Sequence, residues 1–117
     1  MIIAAVDDLL FSSKIRSVAK PLGVETVFAR TPEAVLAEAR ARRPALVVLD
    51  LDAGRVRPLE ALAALRQDAE LAGVRVVGFV AHVRADLVSA ARAAGANEVM
   101  ARSAFVNALP DLVAGAR

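Results

Sequence analysis

The sequence predicts one α/β domain over residues 1–117, a parallel five-stranded sheet with helices on both faces. Three observations lead there. Short apolar runs alternate with stretches of helical periodicity, five times over. The runs are Val-rich and unbroken, as suits parallel strands buried on both faces. The intervening segments carry apolar residues on one side only. Strict alternation implies right-handed crossovers, and in so short a chain the simplest result is the flavodoxin-like (βα)5 arrangement with strand order 2-1-3-4-5.

The predicted strands are Ile2–Val6, Val24–Ala29, Ala45–Leu49, Val74–Val80 and Glu98–Ala101. Ile15, Val18, Ala19 and Leu22 fall at i, i+3, i+4 and i+7 and mark the first helix. Thr31-Pro32-Glu33 opens the second, with Thr as N-cap, Pro at the first helical position and an acid in the first turn. Leu59, Leu62 and Leu65 mark the third helix. Leu87, Val88 and Ala91 mark the fourth, closed by Gly95. Phe105, Leu109, Leu112 and Ala116 form the fifth stripe, which contains Pro110. If Ser103 caps that helix, Pro110 is interior and should kink it. If the helix starts near Asn107, Pro110 lies in the tolerated first turn.

Composition narrows the function. The 117 residues include no Cys, which excludes disulfides, thiol catalysis and thiolate metal sites. Hydrophobic residues make up 57%, yet the longest central stretch free of charge, Val76 to Val83, is far short of a membrane span. Met1 leads directly into Ile2-Ile3-Ala4-Ala5-Val6 without a basic region, so no secretory signal is read and a cytoplasmic location is expected. The net charge is only +2, and the arginines are scattered among acids apart from Arg40-Ala41-Arg42-Arg43. That cluster suits a helix C-terminus stopped by Pro44. Four Phe, most of them inside apolar runs, offer no stacking platform, so no nucleic-acid partner is expected.

The chemistry sits at strand ends. The first strand ends in Val6-Asp7-Asp8 and the third in Leu49-Asp50-Leu51-Asp52. In this strand order ligands bind beyond the C-terminal ends of the first and third strands, which brings these acids together. Gathered carboxylates repel, and a hard divalent cation such as Mg²⁺ relieves the repulsion. A carboxylate beside such a metal can attack a phosphoryl group, so the geometry suggests phosphoryl transfer onto an Asp. Each acid also has a plainer use as a helix cap or turn former, and that is the main reading of Asp52.

Val6-Asp7-Asp8, Leu46-Val47-Val48-Leu49-Asp50-Leu51-Asp52 and Val80-Ala81-His82 together resemble a response-regulator receiver domain, over essentially the whole chain. The resemblance implies Asp50 as phosphoacceptor, with Mg²⁺ held by Asp8, Asp50 and the backbone carbonyl of Asp52, and with Asp7 acting through a coordinated water. It implies a histidine kinase, a phosphotransfer protein or a small phosphodonor as the source of the phosphoryl group, and no enzymatic activity beyond self-phosphorylation on Asp50.

Several positions depart from that family. Val80 stands where it has a Thr or Ser hydroxyl, and Val99 where it has an aromatic switch residue. Arg102 and Ser103 stand where it has Lys and Pro, and Arg is no neutral exchange for a point-charge Lys. The loop Ala53-Gly54-Arg55-Val56-Arg57-Pro58 adds two cations. Arg102, Arg55 or Arg57 is therefore a candidate to neutralise Asp50, and the chain reads as an atypical receiver or pseudo-receiver. The lone His82 is read as a loop residue.

The alternative from another class is a scaffold that never accepts phosphate. It would dock signalling proteins, or form a homodimer, through small residues such as Ala90, Ala91, Ala94 and Ala108. A remote alternative is a haloacid-dehalogenase-like phosphatase, since Leu49-Asp50-Leu51-Asp52 resembles its first motif; the chain has no Lys after Lys20 and no adjacent acids after Asp52 to complete that site. The last helical stripe runs to the end of the sequence, so the expectation is a unit that works through docking or a fragment of something longer.

Overall fold

A computed structural model of the protein describes residues 1–81 and 84–117. Its strands are β1 (Ile2–Ala5), β2 (Thr26–Phe28), β3 (Leu46–Asp50), β4 (Arg75–Val80) and β5 (Glu98–Ala101). Its helices are α1 (Leu9–Ala19), α2 (Pro32–Arg42), α3 (Pro58–Gln67), α4 (Ala85–Ala93) and α5 (Arg102–Gly115), with a 3-10 turn at Gly54–Val56 before α3. All sheet pairings are parallel and the strand order is β2-β1-β3-β4-β5, as the alternation of elements predicts.

Strand parity divides the core into two layers. Ile2 and Ala4 of β1 and Val6 just after it, with Leu46 and Val48 of β3, pack with Phe11 and Ile15 of α1 and Phe105 and Leu109 of α5. Ile3, Ala5, Val47 and Leu49 point the other way, onto Val35 and Ala39 of α2 and Leu62 and Leu65 of α3. The first layer holds a cluster of three mutually stacked rings: Phe79 lies 4.6 Å from both Phe11 and Phe105, and those two lie 5.7 Å apart, centroid to centroid. Asp50 shares parity with Leu46 and Val48, so it extends the layer that contains those rings.

Local signals explain most boundaries. Thr31 caps α2 as predicted, its hydroxyl oxygen accepting the Ala34 N–H at 3.0 Å. Gly95 follows α4 with φ +111°, a conformation that a side chain would strain. The Arg40–Arg43 cluster is spent on neighbouring acids. Arg40 pairs with Asp68 at 2.7 Å, Arg42 with Glu38 at 3.0 Å and with Glu25, and Arg43 with Glu70 at 2.6 Å.

Other boundaries differ from the sequence reading. The first helix stops at Ala19, so Leu22 packs from the following turn rather than from the helix itself. Only Thr26–Phe28 of the predicted Val24–Ala29 run is strand. Ser103 is not a cap: β5 runs straight into α5, whose N-cap is Ala101. Pro110 therefore lies inside the helix, which continues to Gly115 without the Pro110 backbone donor. Among the described residues, no helix is long and apolar enough to cross a membrane.

Candidate functional site

Asp8, Asp50 and Asp52 lie at the C-terminal edge of β1 and β3, near enough for Asp8 and Asp52 to act on the charge of Asp50. Asp8 follows β1 and caps α1, its Oδ1 accepting N–H groups from Leu10 at 2.8 Å and Phe11 at 3.2 Å. This is the plainer role open to an acid at a strand end, and it fixes the carboxyl at the rim of the site while leaving its second oxygen outside the cap. Asp7 is exposed.

Asp50 is the buried member, with 4% of its surface exposed. Its Oδ1 accepts the Asp52 N–H at 3.0 Å. Its Oδ2 lies 3.8 Å from Arg102, an ion-pair distance too long for a hydrogen bond. Burial pushes the Asp50 carboxyl above the usual range; the Asp52 N–H and Arg102 oppose that rise, and the charges of Asp52 and Asp8 add to it. The guanidinium therefore offsets the cost of burying this carboxylate only in part. Among the described residues, no three acidic or His side chains converge closely enough to hold a metal ion.

Arg102 is itself held by aromatic rings. Its guanidinium carbon sits 4.8 Å from the Phe11 ring centroid and 5.9 Å from that of Phe79. Such a cation–π contact is a use of Arg for which its planar head suits it. The Arg102 Nε is buried and has no hydrogen-bond partner among the described residues. Arg102 faces the Asp50 carboxylate through Nη2, at ion-pair distance. The aromatic support escapes sequence reading because Phe11, Phe79 and Phe105 come from three separate elements; the one available signal was that Phe79 shares strand parity with Val77.

Arg57 has other partners. It pairs with Glu33 of α2 at 3.2 Å and with Glu60 of α3 at 3.1 Å. Among the described residues, Arg102 is the cation paired with Asp50.

Val80 is 3% exposed and packs in the α2–α3 layer, where an apolar side chain is at home. Val99 is partly buried against that same layer. Asp52, read from sequence as a turn former, does more: its Oδ2 accepts the Ala81 N–H at 2.5 Å and ties the β3 exit to the β4 exit. His82 lies outside the described residues.

A five-stranded sheet of this order, with a buried Asp at the end of its central strand, is the fold of response-regulator receiver domains. Solved structures agree. The phosphorylated cyanobacterial phytochrome response regulator RcpA superposes with a TM-score of 0.79 at 24% identity, over 97% of this chain and 88% of that one. A response regulator from Hahella chejuensis gives 0.83 at 18% identity, over 96% and 90% of the two chains. The Mn²⁺-bound form of the response regulator Rcp1 gives 0.75 at 24% identity, over 97% and 88%. No protein-family model and no curated protein matches the sequence. The receiver resemblance thus holds at the level of fold.

Proposed function

We propose that the protein is an atypical receiver in two-component signalling, with Asp50 as phosphoacceptor and output through protein–protein docking in the cytoplasm. The observation that carries this reading is the state of Asp50: a buried carboxylate at a strand end, one oxygen tied to the backbone and the other, among the described residues, facing a cation at ion-pair distance without a hydrogen bond. An acid with no reactive role is seldom left so poorly compensated.

In the proposed reaction Asp50 Oδ2 attacks phosphorus in a histidine phosphoramidate or a small acyl phosphate. An O–P bond forms, the P–N or P–O bond to the donor breaks, and its electron pair leaves with the imidazole or the carboxylate. Asp52 N–H orients Asp50 through Oδ1. Arg102, steadied over Phe11, offers its unspent donors to the oxygens of the incoming group, for which a planar guanidinium is well shaped. The donor set of Asp8, Asp50 and the Asp52 carbonyl, with Asp7 behind it, is of the hard-oxygen kind that Mg²⁺ takes, and Arg102 leaves part of the Asp50 charge for such an ion to offset. Bound there, Mg²⁺ would neutralise charge on the carboxylates and the transferred oxygens. The divalent ion of the Mn²⁺-bound relative supports this assignment.

The test is a mass measurement on the intact protein after incubation with a small phosphodonor and Mg²⁺. The reading expects a gain of one phosphoryl group in the wild type and none in Asp50→Ala. No gain in the wild type would instead favour the second reading, a phosphorylation-independent scaffold. The observation on that side is that Val80 and Val99 bring neither hydroxyl nor aromatic ring to β4 and β5, while Arg102 already stands against Asp50.

A further inference from the structure

We propose that the Asp52 carboxylate is a built-in competitor for the phosphoryl site, holding a backbone donor beside Asp50 until a phosphoryl group displaces it. The inference rests on reading Asp50 as the acceptor.

Three features point to it. Asp52 is linked to both strand exits at once, giving its own N–H to Asp50 Oδ1 at 3.0 Å and accepting the Ala81 N–H on its Oδ2 at 2.5 Å. The register explains how. Asp50 is paired with Phe79 across β3 and β4, so Asp52 and Ala81 each lie two residues past that pair and meet where the strands open. The Ala81 N–H therefore points toward the same edge as the acceptor. Val80, directly before it, offers no hydroxyl donor, which raises the importance of this backbone N–H to any anion on Asp50.

A phosphoryl group carries close to two negative charges and strong acceptor oxygens. Placed on Asp50, it repels the Asp52 carboxylate through space and competes with it for Ala81. Asp52 is an exposed residue, so its carboxylate can turn into water at little desolvation cost. The Ala81 N–H is then bound to Asp52 in the unmodified protein and to the phosphoryl group in the modified one. Competition of this kind slows phosphorylation.

Asp52→Ala removes both charge and acceptor, while Asp52→Asn removes the charge and keeps an oxygen that can accept from Ala81. Wild type and both variants are incubated with a small acyl phosphate and Mg²⁺, and intact mass is followed in time. The Ala81 amide is followed by NMR in the same samples, whose remaining resonances report that the fold is kept. Asp52→Ala should gain the phosphoryl group roughly tenfold faster than wild type, the worth of one charge-assisted hydrogen bond, with Asp52→Asn in between. The Ala81 amide should move in unmodified Asp52→Ala, and should move in wild type on phosphorylation. Equal rates with an unmoved Ala81 amide would overturn the competitor role alone. Failure of all three proteins to gain a phosphoryl group would overturn the acceptor reading as well.

Discussion

The two halves of the sheet's C-terminal edge are built differently. At the β1–β3 half, Asp8 is locked as the α1 cap, and Asp50 is buried within reach of the charges of Asp52 and Asp8. At the β4–β5 half, apolar Val80 and Val99 line the layer beneath, and the one group aimed at Asp50 is an Arg resting on a Phe ring. The first half gathers buried and capping carboxylates. The second offers apolar packing and one fixed charge. Neighbouring strands reach the same edge through separate side chains, so its two halves can differ in chemistry on one fold.

The largest break in this comparison is Phe79→Ala. Phe79 stacks with both other rings of the cluster and lies beneath Arg102, so both halves lose support. Urea denaturation should show a loss of about 3–5 kcal/mol. A smaller change tests the β4–β5 half alone. Val80→Thr buries a hydroxyl in an apolar layer and should cost about 1–3 kcal/mol in the same assay. Asp8→Ala probes the β1–β3 half. Loss of the cap should cost about 1 kcal/mol. It should also weaken the Mg²⁺ dependence of any phosphoryl gain.

The gentlest change is Asp50→Asn. Because burial raises the Asp50 pKa, the folded state holds this proton more tightly than the unfolded chain does. Asp50 therefore costs the wild type stability as pH rises from the ordinary carboxylate range through its own raised value. Asp50→Asn should melt higher than wild type at neutral pH, and the advantage should shrink in acid. Thermal melts at neutral and acidic pH check this.

Much of this edge was legible beforehand. Asp8 and Asp50 announced themselves because each ends a Val- or Ile-rich run, and the strand order then dictates where they lie. Thr31-Pro32 fixed the start of α2 for the same local reason. What sequence could not reveal was tertiary. The ring stack draws on α1, β4 and α5, and the Asp52–Ala81 bond spans two loops, so no spacing along the chain encodes either. Pro110 was undecidable because capping propensity favoured Ser103, whereas the direct join of β5 to α5 set the true start. Arg57 misled because charge alone does not show direction; its partners are Glu33 and Glu60, one of them on another helix.

The central claim is that the edge formed by Asp8, Asp50 and Arg102 receives a phosphoryl-shaped ligand. Melting the protein with beryllofluoride and Mg²⁺ tests it without a donor reaction. A ligand present at a hundred times its dissociation constant stabilises by about 2.7 kcal/mol. The account predicts a rise of several degrees in the wild type and none in Asp50→Ala. An unchanged wild-type Tm, or an equal rise in both proteins, would contradict it.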